Sequence, residues 1–297
     1  MNKSKIKKAI FPVGGLGTRF LPVTKSLPKE MLPVSNMPII QHVFLEAVNA
    51  GIEEFIFITG RNKDIISNHF DRAYELEKCL DEKEKFNILS LTTDWLPDAG
   101  KIAFIRQQYP MGLGHAIWCA RNFIKDEPFA VLLPDEIFLT KPGTSVLKEM
   151  VDIYDANGAN IVALAEVEPE LTNRYGIVEI SSTINNNTFK ICDMVEKPAV
   201  GQAPSNLSIS GRYILQPEIF EVLEQTKKDS SGEIQLTDAL KAMLKTTPTY
   251  GYKFSGQRFD CGSHYGFLEA NIEFGLKNNE IGEDVKKLII NLASKLV

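Results

Sequence analysis

Short apolar runs alternate with amphipathic stretches along the first half of the chain. The runs have the length of buried strands and occupy residues 9–13, 55–59, 102–105 and 129–133. The stretches between them place apolar residues at helical spacing, and they occupy residues 39–48, a charged segment ending near 85, and 115–124. Strands separated by helices predict a parallel sheet that is covered on both faces.

The second half has a different pattern, because its strands follow one another with few helices between them. The strand-like runs are residues 161–167, 177–180, 189–195 and 207–215. The helical runs are residues 144–156, 217–223, 233–244 and an amphipathic tail at 284–297. Ser230 and Glu233 have the spacing of a capping box for the third of these helices. We therefore expect one α/β domain over residues 1–297. It has a Rossmann-like, mixed and mostly parallel central sheet flanked by helices, with added antiparallel strands and a C-terminal helix.

Composition narrows the class of protein. The chain has 297 residues, with 33 Lys and Arg against 38 Asp and Glu, so its formal net charge is −5. Its 44% hydrophobic and 24% charged residues are typical of a folded globular protein and exclude disordered or low-complexity classes. The acidic balance argues against a nucleic-acid binder with a basic surface. Because no apolar run approaches the roughly 18 residues of a membrane span, we expect a cytoplasmic protein without a membrane partner.

Three glycines and three cations follow the first predicted strand. The turn Gly14–Gly17 would bring backbone N–H groups against an anion, and Arg19, Lys25 and Lys29 add positive charge. A dinucleotide fingerprint needs a third glycine where Phe20 stands, and the chain has no Gly-Lys-Ser/Thr end of a Walker A loop. A surface turn flanked by solvated charges is the alternative. At a strand end, the whole run favours a site for a polyphosphate.

Other polar residues stand where predicted strands end, which is the edge at which open α/β sheets bind ligands. Asp135 follows the run 129–133 and is a natural Mg²⁺ ligand. Gln107 offers both a donor and an acceptor, which can read the edge of a base, and Gly112 lies near a predicted helix start. The pair 196–197, Glu-Lys, precedes a proline. Taken alone, each of these is also compatible with a structural role, as a helix cap, a turn or an exposed salt bridge.

Taken together, these segments resemble the sugar-1-phosphate nucleotidylyltransferases. The run Gly-Leu-Gly-Thr-Arg with Thr-Lys-Ser-Leu-Pro-Lys-Glu-Met-Leu-Pro, within residues 15–33, resembles their bacterial UTP–glucose-1-phosphate uridylyltransferase branch. Further similar segments come in that family's order, and they are residues 68–71, 106–107, 112–116, 133–135, 175–178, 195–198, 204–206, 211–213, 233–238 and 260–262. The resemblance covers nearly the whole chain and implies a fold of the nucleotide-diphospho-sugar transferase type.

The resemblance also implies a role for each candidate residue. The nucleotide is implied to contact Gly14, Gly15, Leu16, Gly17, Gln107 and Gly112. The catalytic residues are implied to be Arg19 and Lys29 on the β- and γ-phosphates, Asp135, and Lys197 on the sugar phosphate, with Lys25 as a weaker phosphate candidate. Gly176, Glu196 and Lys197 are implied to bind the sugar, and Asp135 and Asp260 to hold Mg²⁺. Glu136 is not expected to share the metal, because adjacent side chains in an extended segment point opposite ways.

The implied reaction joins UTP and glucose 1-phosphate into UDP-glucose and pyrophosphate. Residues 1–140 would form the nucleotide-binding half and residues 141–283 the sugar-binding half. The tail helix at 284–297 is a candidate contact in a homo-oligomer, a dimer or a tetramer. A thymidylyltransferase acting on glucose 1-phosphate and a non-catalytic nucleotide-sugar-binding regulator stay open as alternatives. An NAD-linked oxidoreductase is disfavoured, because Phe20 stands where the dinucleotide fingerprint needs its third glycine.

Overall fold

A nine-stranded mixed sheet forms the centre of the protein, whose computed structural model describes residues 5–296. The strands of the whole fold are β1 Lys8–Val13, β2 Pro33–Val34, β3 Met37–Pro38, β4 Glu54–Thr59, β5 Ile102–Arg106, β6 Phe129–Leu132, β7 Glu136–Leu139, β8 Asn160–Glu166, β9 Gly176–Asn185, β10 Thr188–Glu196, β11 Leu207–Leu215, β12 Thr249–Lys253 and β13 Gln257–Asp260. The order in the central sheet is β5-β4-β1-β6-β11-β8-β12-β10-β9. Two smaller ladders, β2–β3 and β7–β13, lie outside it.

Eleven α-helices within the described residues complete the fold. They are α1 Ile39–Asn49, α2 Asp64–His69, α3 Tyr74–Glu82, α4 Phe86–Thr93, α5 Gly112–Trp118, α6 Arg121–Ile124, α7 Val146–Asn157, α8 Ile219–Gln225, α9 Leu236–Met243, α10 His264–Lys277 and α11 Gly282–Ala293. No helix among residues 5–296 is long and apolar enough to cross a membrane.

The first four strands of the sheet order are parallel, as predicted. Strand β1 pairs with β4 on one side and β6 on the other, and β4 pairs with β5, all in the same direction. Their carboxyl ends therefore meet at one edge of the sheet, which is where open α/β sheets bind ligands. The residues that follow these ends are Gly14, Gly60, Gln107 and Leu133.

The second half adds the antiparallel strands that its pattern predicted. Strand β11 runs antiparallel to both β6 and β8, and β10 runs antiparallel to β12 and β9. Among the strands that the structure describes in this half, β8 and β12 are the one parallel pair. The sheet is therefore mixed, and the expectation of a mostly parallel sheet holds for its first half alone.

The side chains of β1 show how the sheet is buried on both faces. Successive side chains of a strand point to opposite faces. Ala9, Phe11 and Val13 accordingly pack in one apolar cluster with α1 and α7, while Ile10 packs in a second cluster with α5, α8 and α9. A strand covered on both sides needs a continuous apolar run, and that is what residues 9–13 supply.

Several local predictions differ from the structure. The charged segment that ends near residue 85 forms two short helices, α2 and α3, and α4 follows it. The helix predicted at 115–124 is divided into α5 and α6. The capping box at Ser230 and Glu233 is absent, because α9 begins at Leu236 and Asp229 instead accepts from the backbone N–H groups of Ser231 and Glu233. The tail helix spans Gly282–Ala293, and residues 1–4 and Val297 lie outside the described residues.

Candidate active site

The glycine turn after β1 folds back on the segment that carries the predicted cations. Gly17 has a positive φ of 66°, and its carbonyl accepts a hydrogen bond of 2.8 Å from the Thr24 hydroxyl. A side-chain carbon at Gly17 would lie 3.3 Å from Cβ of Lys29. Glycine is needed here both for the left-handed backbone and for the close approach. The turn therefore fixes where Lys29 lies.

Lys29 and Asp135 form an ion pair in the centre of this edge. The Nζ of Lys29 lies 2.5 Å from Oδ2 of Asp135. Burial opposes the charged form of both groups, but their mutual attraction outweighs it. The pKa of Asp135 is lowered despite burial by the charge and hydrogen bond of Lys29, and the pKa of Lys29 is raised despite burial by the charges of Asp135 and Glu30. Both side chains are therefore ionised at neutral pH.

The β7–β13 ladder brings Asp260 to the same place. In its register Asp260 is opposite Glu136, and the Cys261 N–H donates to the Asp135 carbonyl at 2.8 Å. A side-chain carbon at Gly262 would lie 3.0 Å from Oδ2 of Asp135 and 3.0 Å from Oδ1 of Asp260. The two carboxylates therefore flank one glycine. The structure thus joins two aspartates that are far apart in sequence, as the prediction of a shared metal site requires.

Arg19 reaches this group from the glycine turn. Its guanidinium donates to the carbonyl of Gly262 at 3.3 Å. Arg19, Lys29, Asp135 and Asp260 consequently lie together, whereas Lys25 is exposed and its ammonium has no ion pair or hydrogen bond within residues 5–296. The structure does not bring Lys25 into the cluster.

Arg212, which the sequence analysis left without a role, holds the backbone around Asp135. The side chain is fully buried and donates from Nε and NH2 to Oε2 of Glu46 on α1, at 3.0 and 2.7 Å. It also donates to the carbonyls of Leu133 and Glu136, at 3.1 and 2.8 Å. These two carbonyls stand on either side of Asp135. A single buried guanidinium therefore fixes the turn from which the aspartate projects.

Gln107 lies beside the glycine turn, as the base-binding prediction requires. Its Oε1 would be 3.2 Å from a side-chain carbon at Gly14. Its Nε2 lies 3.2 Å from the carbonyl of Gly112 and 2.9 Å from Nδ1 of His115. Gly112 has φ of 87°, and a side-chain carbon there would come within 2.8 Å of Cβ of Glu233. The glycine is thus required by packing as well as by any contact with a ligand.

The predicted sugar residues form a second group on β9 and β10. Gly176 is opposite Glu196 in the antiparallel ladder, and the Thr237 hydroxyl donates to Oε2 of Glu196 at 2.6 Å. Nζ of Lys197 lies 3.3 Å from Oε1 of Glu196. The backbone of Lys197 has a positive φ of 44°, which is unusual for a residue with a side chain. Lys197 keeps 54% of its side chain exposed.

Tyr213 connects the two groups. It is buried on β11, and its pKa is raised first by burial and then by the negative charges of Glu136, Glu196 and Asp135. Arg258 links the two groups by contact, because its guanidinium lies 4.9 Å from the Tyr175 ring, next to Gly176, and 3.7 Å from Glu136, next to Asp135. The two groups are therefore neighbours. Glu136 accepts a hydrogen bond of 2.7 Å from the Ser210 hydroxyl.

Known proteins are similar to this chain over most of its length. The model of the Nucleotidyl transferase family matches residues 8–275. The chain belongs to this nucleotidyl transferase family. A UTP–glucose-1-phosphate uridylyltransferase of Bacillus subtilis (strain 168) is 44% identical over 291 residues, which cover 98% of each chain.

Two solved structures are similar to this nucleotidyl transferase over almost its whole length. A UTP-bound UGPase from Acinetobacter baumannii superimposes with a TM-score of 0.90 at 43% identity and covers 97% of this chain and 99% of its own. A UDP-glucose pyrophosphorylase complexed with UDP-glucose gives a TM-score of 0.82 at 42% identity and covers 92% of this chain and 100% of its own. The predicted family and fold class are thus confirmed.

The donor set of this nucleotidyl transferase fits a magnesium ion. Asp135 and Asp260 present carboxylate oxygens around one glycine. Among residues 5–296 no group of three or more His, Cys, Asp or Glu side chains could hold a metal. Mg²⁺ needs only one or two protein carboxylates, because phosphate oxygens and water complete its shell.

Three residues of the site were not predicted from the sequence. Arg212 and Tyr213 belong to the family-like segment 211–213 and Thr237 to the family-like segment 233–238, and the sequence assigns none of the three a role. Their type alone carries no signal, since a buried arginine or tyrosine is recognised only once its partners are known. The resemblance of residues 211–213 to the family was the one usable signal.

Proposed function

We propose that this nucleotidyl transferase transfers a uridylyl group from UTP to glucose 1-phosphate, giving UDP-glucose and pyrophosphate. The observation that carries the proposal is the cluster of Arg19, Lys29, Asp135 and Asp260 beside the glycine turn, with the group of Glu196 and Lys197 next to it. Relatives at 42–44% identity carry this activity in their names or were solved with UTP or UDP-glucose. Residues 1–140 would bind the nucleotide and residues 141–283 the sugar.

The chemistry needs positioning more than it needs a strong base. A phosphate oxygen of glucose 1-phosphate forms a bond to the α-phosphorus of UTP, and the bond from that phosphorus to the β-phosphate oxygen breaks. The electron pair of the broken bond leaves with pyrophosphate. The attacking phosphate is already an anion near neutral pH, so the barriers are repulsion between the two anions and charge on the leaving group.

The basic residues of the site would reduce both barriers. Lys197 would hold the attacking phosphate, while Arg19 and Lys29 would stabilise the β- and γ-phosphates as charge grows on them. Asp135 and Asp260 would hold Mg²⁺, which when bound supplies positive charge between phosphate oxygens. Glu196, fixed by Thr237, would accept hydrogen bonds from sugar hydroxyls. Lys25 is the weaker phosphate contact in this scheme.

A panel of nucleoside triphosphates against sugar 1-phosphates tests the proposal directly. With Mg²⁺ present, pyrophosphate release should be fastest for UTP with glucose 1-phosphate. Faster release with dTTP would instead support the thymidylyltransferase alternative. Tight binding of UDP-glucose without any pyrophosphate release would overturn the proposal in favour of a non-catalytic regulator. Cytoplasmic location stays a prediction.

We also propose a homo-oligomer, a dimer or a tetramer, with α11 in the contact between copies. Val285 and Ile289 are half-buried, while Leu288, Ile290 and Leu292 are at least half exposed. A second copy of the chain would cover this apolar face. Sedimentation of a chain ending before Asp284 should show a smaller assembly than the full chain, and an unchanged assembly would contradict the contact.

A further inference from the structure

The amide of Gln107 has one orientation that its neighbours allow. The Gly112 carbonyl, 3.2 Å from Nε2, can only accept a hydrogen bond, so it must face the NH₂ group. Rotating the amide to exchange its oxygen and nitrogen would place Oε1 of Gln107 against the carbonyl oxygen of Gly112. The NH₂ group is therefore turned away from the glycine turn, and Oε1 is the amide atom that faces Gly14.

His115 completes this arrangement from the next turn of α5. Its Nδ1 lies 2.9 Å from the same NH₂ group, so it must accept, which requires a neutral ring with the proton on Nε2. Burial lowers the pKa of His115, and the nearby charges of Lys228 and Arg121 lower it further. The Cys119 sulfur lies 3.9 Å from Nδ1, and burial raises the pKa of that thiol, so it adds no negative charge. The surroundings thus favour the neutral ring that the geometry needs.

With both NH₂ hydrogens engaged, Gln107 presents only an acceptor to the nucleotide. The N3 position of uracil carries a hydrogen at neutral pH and can donate to it, whereas the N3 of cytosine is itself an acceptor. We propose that His115 is a positioning residue for base selection. Its Nδ1, together with the Gly112 carbonyl, holds Gln107 with Oε1 toward the base, so that the site accepts uracil and rejects cytosine. This inference rests on the proposed use of UTP.

Two substitutions of His115 separate this role from simple packing. His115→Phe keeps a ring to stack on Trp118, whose centroid lies 5.8 Å from that of His115, but removes the acceptor. His115→Asn is smaller but returns an oxygen near the position of Nδ1. The matched control is His69→Phe, because His69 also bonds a glutamine, Gln41, at 3.0 Å and stacks on a tryptophan, Trp95.

The readout is the ratio of kcat/KM for UTP to that for CTP, with glucose 1-phosphate as the second substrate. We expect this ratio to fall roughly tenfold or more in His115→Phe, since one base-edge hydrogen bond discriminates by about that factor. It should stay near the wild-type value in His115→Asn and His69→Phe. The ratio for UTP to dTTP should not change in any variant, because thymine carries the same N3–H.

Three results would overturn the inference. The first is a fall in both rates in His115→Phe that leaves the UTP to CTP ratio unchanged. The second is a UTP to CTP ratio in His115→Asn that is as low as in His115→Phe. The third is an equal fall of that ratio in His69→Phe. If His115→Phe does not fold, His115→Leu takes its place. If wild-type protein releases no pyrophosphate, the proposed function fails, and the UTP to CTP ratio of dissociation constants, measured by calorimetry without sugar phosphate, still tests His115.

Discussion

Two lysine–carboxylate pairs belong to the two neighbouring groups of the site and differ in how firmly they are held. Lys29 and Asp135 are 2.5 Å apart with most of each side chain buried, while Lys197 and Glu196 are 3.3 Å apart and over half of Lys197 is exposed. An exposed ion pair stabilises a protein by about 0–1 kcal/mol, so Lys197 can leave Glu196 for another anion at little expense. The buried pair is much harder to separate.

The hydrogen bonds that hold the two pairs in place also make the first pair more rigid than the second. Asp135 projects from a backbone fixed by Arg212 and by the β7–β13 ladder, and Glu196 is fixed by Thr237. Lys197, in contrast, has within residues 5–296 only a backbone hydrogen bond from its N–H to the Tyr175 carbonyl and the half-exposed ion pair with Glu196. The molecule therefore combines one rigid, preorganised cluster with one movable cation. A site that must hold a metal and capture a second anion needs both.

The largest expected effect is that of Asp135→Asn. The amide keeps the shape but loses the charge that pairs with Lys29 and that the proposed magnesium ion requires. Activity should fall by about a thousandfold or more, and added Mg²⁺ should not restore it. Initial rates of pyrophosphate release across a magnesium titration measure this. Asp152→Asn, on the exposed face of α7, is the control and should keep wild-type activity, and rescue of Asp135→Asn by excess magnesium would mean a lesser role for Asp135.

The rigidity of the cluster around Asp135 depends on Arg212, and the free energy of unfolding of Arg212→Met tests this dependence. Removing the guanidinium leaves the mostly buried Glu46 carboxylate without its charged partner and takes a donor from two carbonyls, which should lower the free energy of unfolding by about 3–5 kcal/mol. Denaturant unfolding measures the change. Adding Glu46→Gln removes the unpaired charge while an amide oxygen can still accept from the Leu147 N–H, so the double variant should be more stable than Arg212→Met alone.

Arg72→Met is the control for this experiment. Arg72 also pairs with a glutamate, Glu77, but its side chain is 68% exposed, so its loss should change stability far less. Equal losses for Arg72→Met and Arg212→Met would show that the buried guanidinium does not support the turn around Asp135.

The sequence predicted which residues meet at this site better than it predicted how they are held in place. Gly17, Lys29 and Asp135 follow strands whose apolar runs are local signals, so their common edge could be predicted. The β7–β13 ladder could not, because it pairs residues 136–139 with residues 257–260, and no periodicity records a partner so far along the chain. Arg212 was missed for the same reason, since its partners come from α1 and from the segment after β6.

The movable side of the comparison is tested by Lys197→Ala. If Lys197 binds the sugar phosphate, its loss should raise KM for glucose 1-phosphate or lower kcat, by roughly 10–100-fold in kcat/KM, as for one hydrogen bond to a charged group. UTP affinity, measured by calorimetry, should be nearly unchanged. Lys253→Ala removes a different exposed ion pair and is the control. An equal loss of UTP binding would place Lys197 on the nucleotide instead.

Lys25→Ala should have the smallest effect, because this ammonium is exposed and has no polar partner within the described residues. A solvated charge a few ångströms from a phosphate contributes on the order of 1 kcal/mol, so kcat/KM for UTP should fall no more than about fivefold. The difference from wild type should shrink at about 0.5 M salt, because the Debye screening length is then only a few ångströms. Lys25→Gln should behave like Lys25→Ala, since charge and not side-chain length is at issue. A loss as large as that of Lys197→Ala, persisting at high salt, would instead make Lys25 a direct phosphate ligand and extend the rigid cluster beyond Arg19 and Lys29.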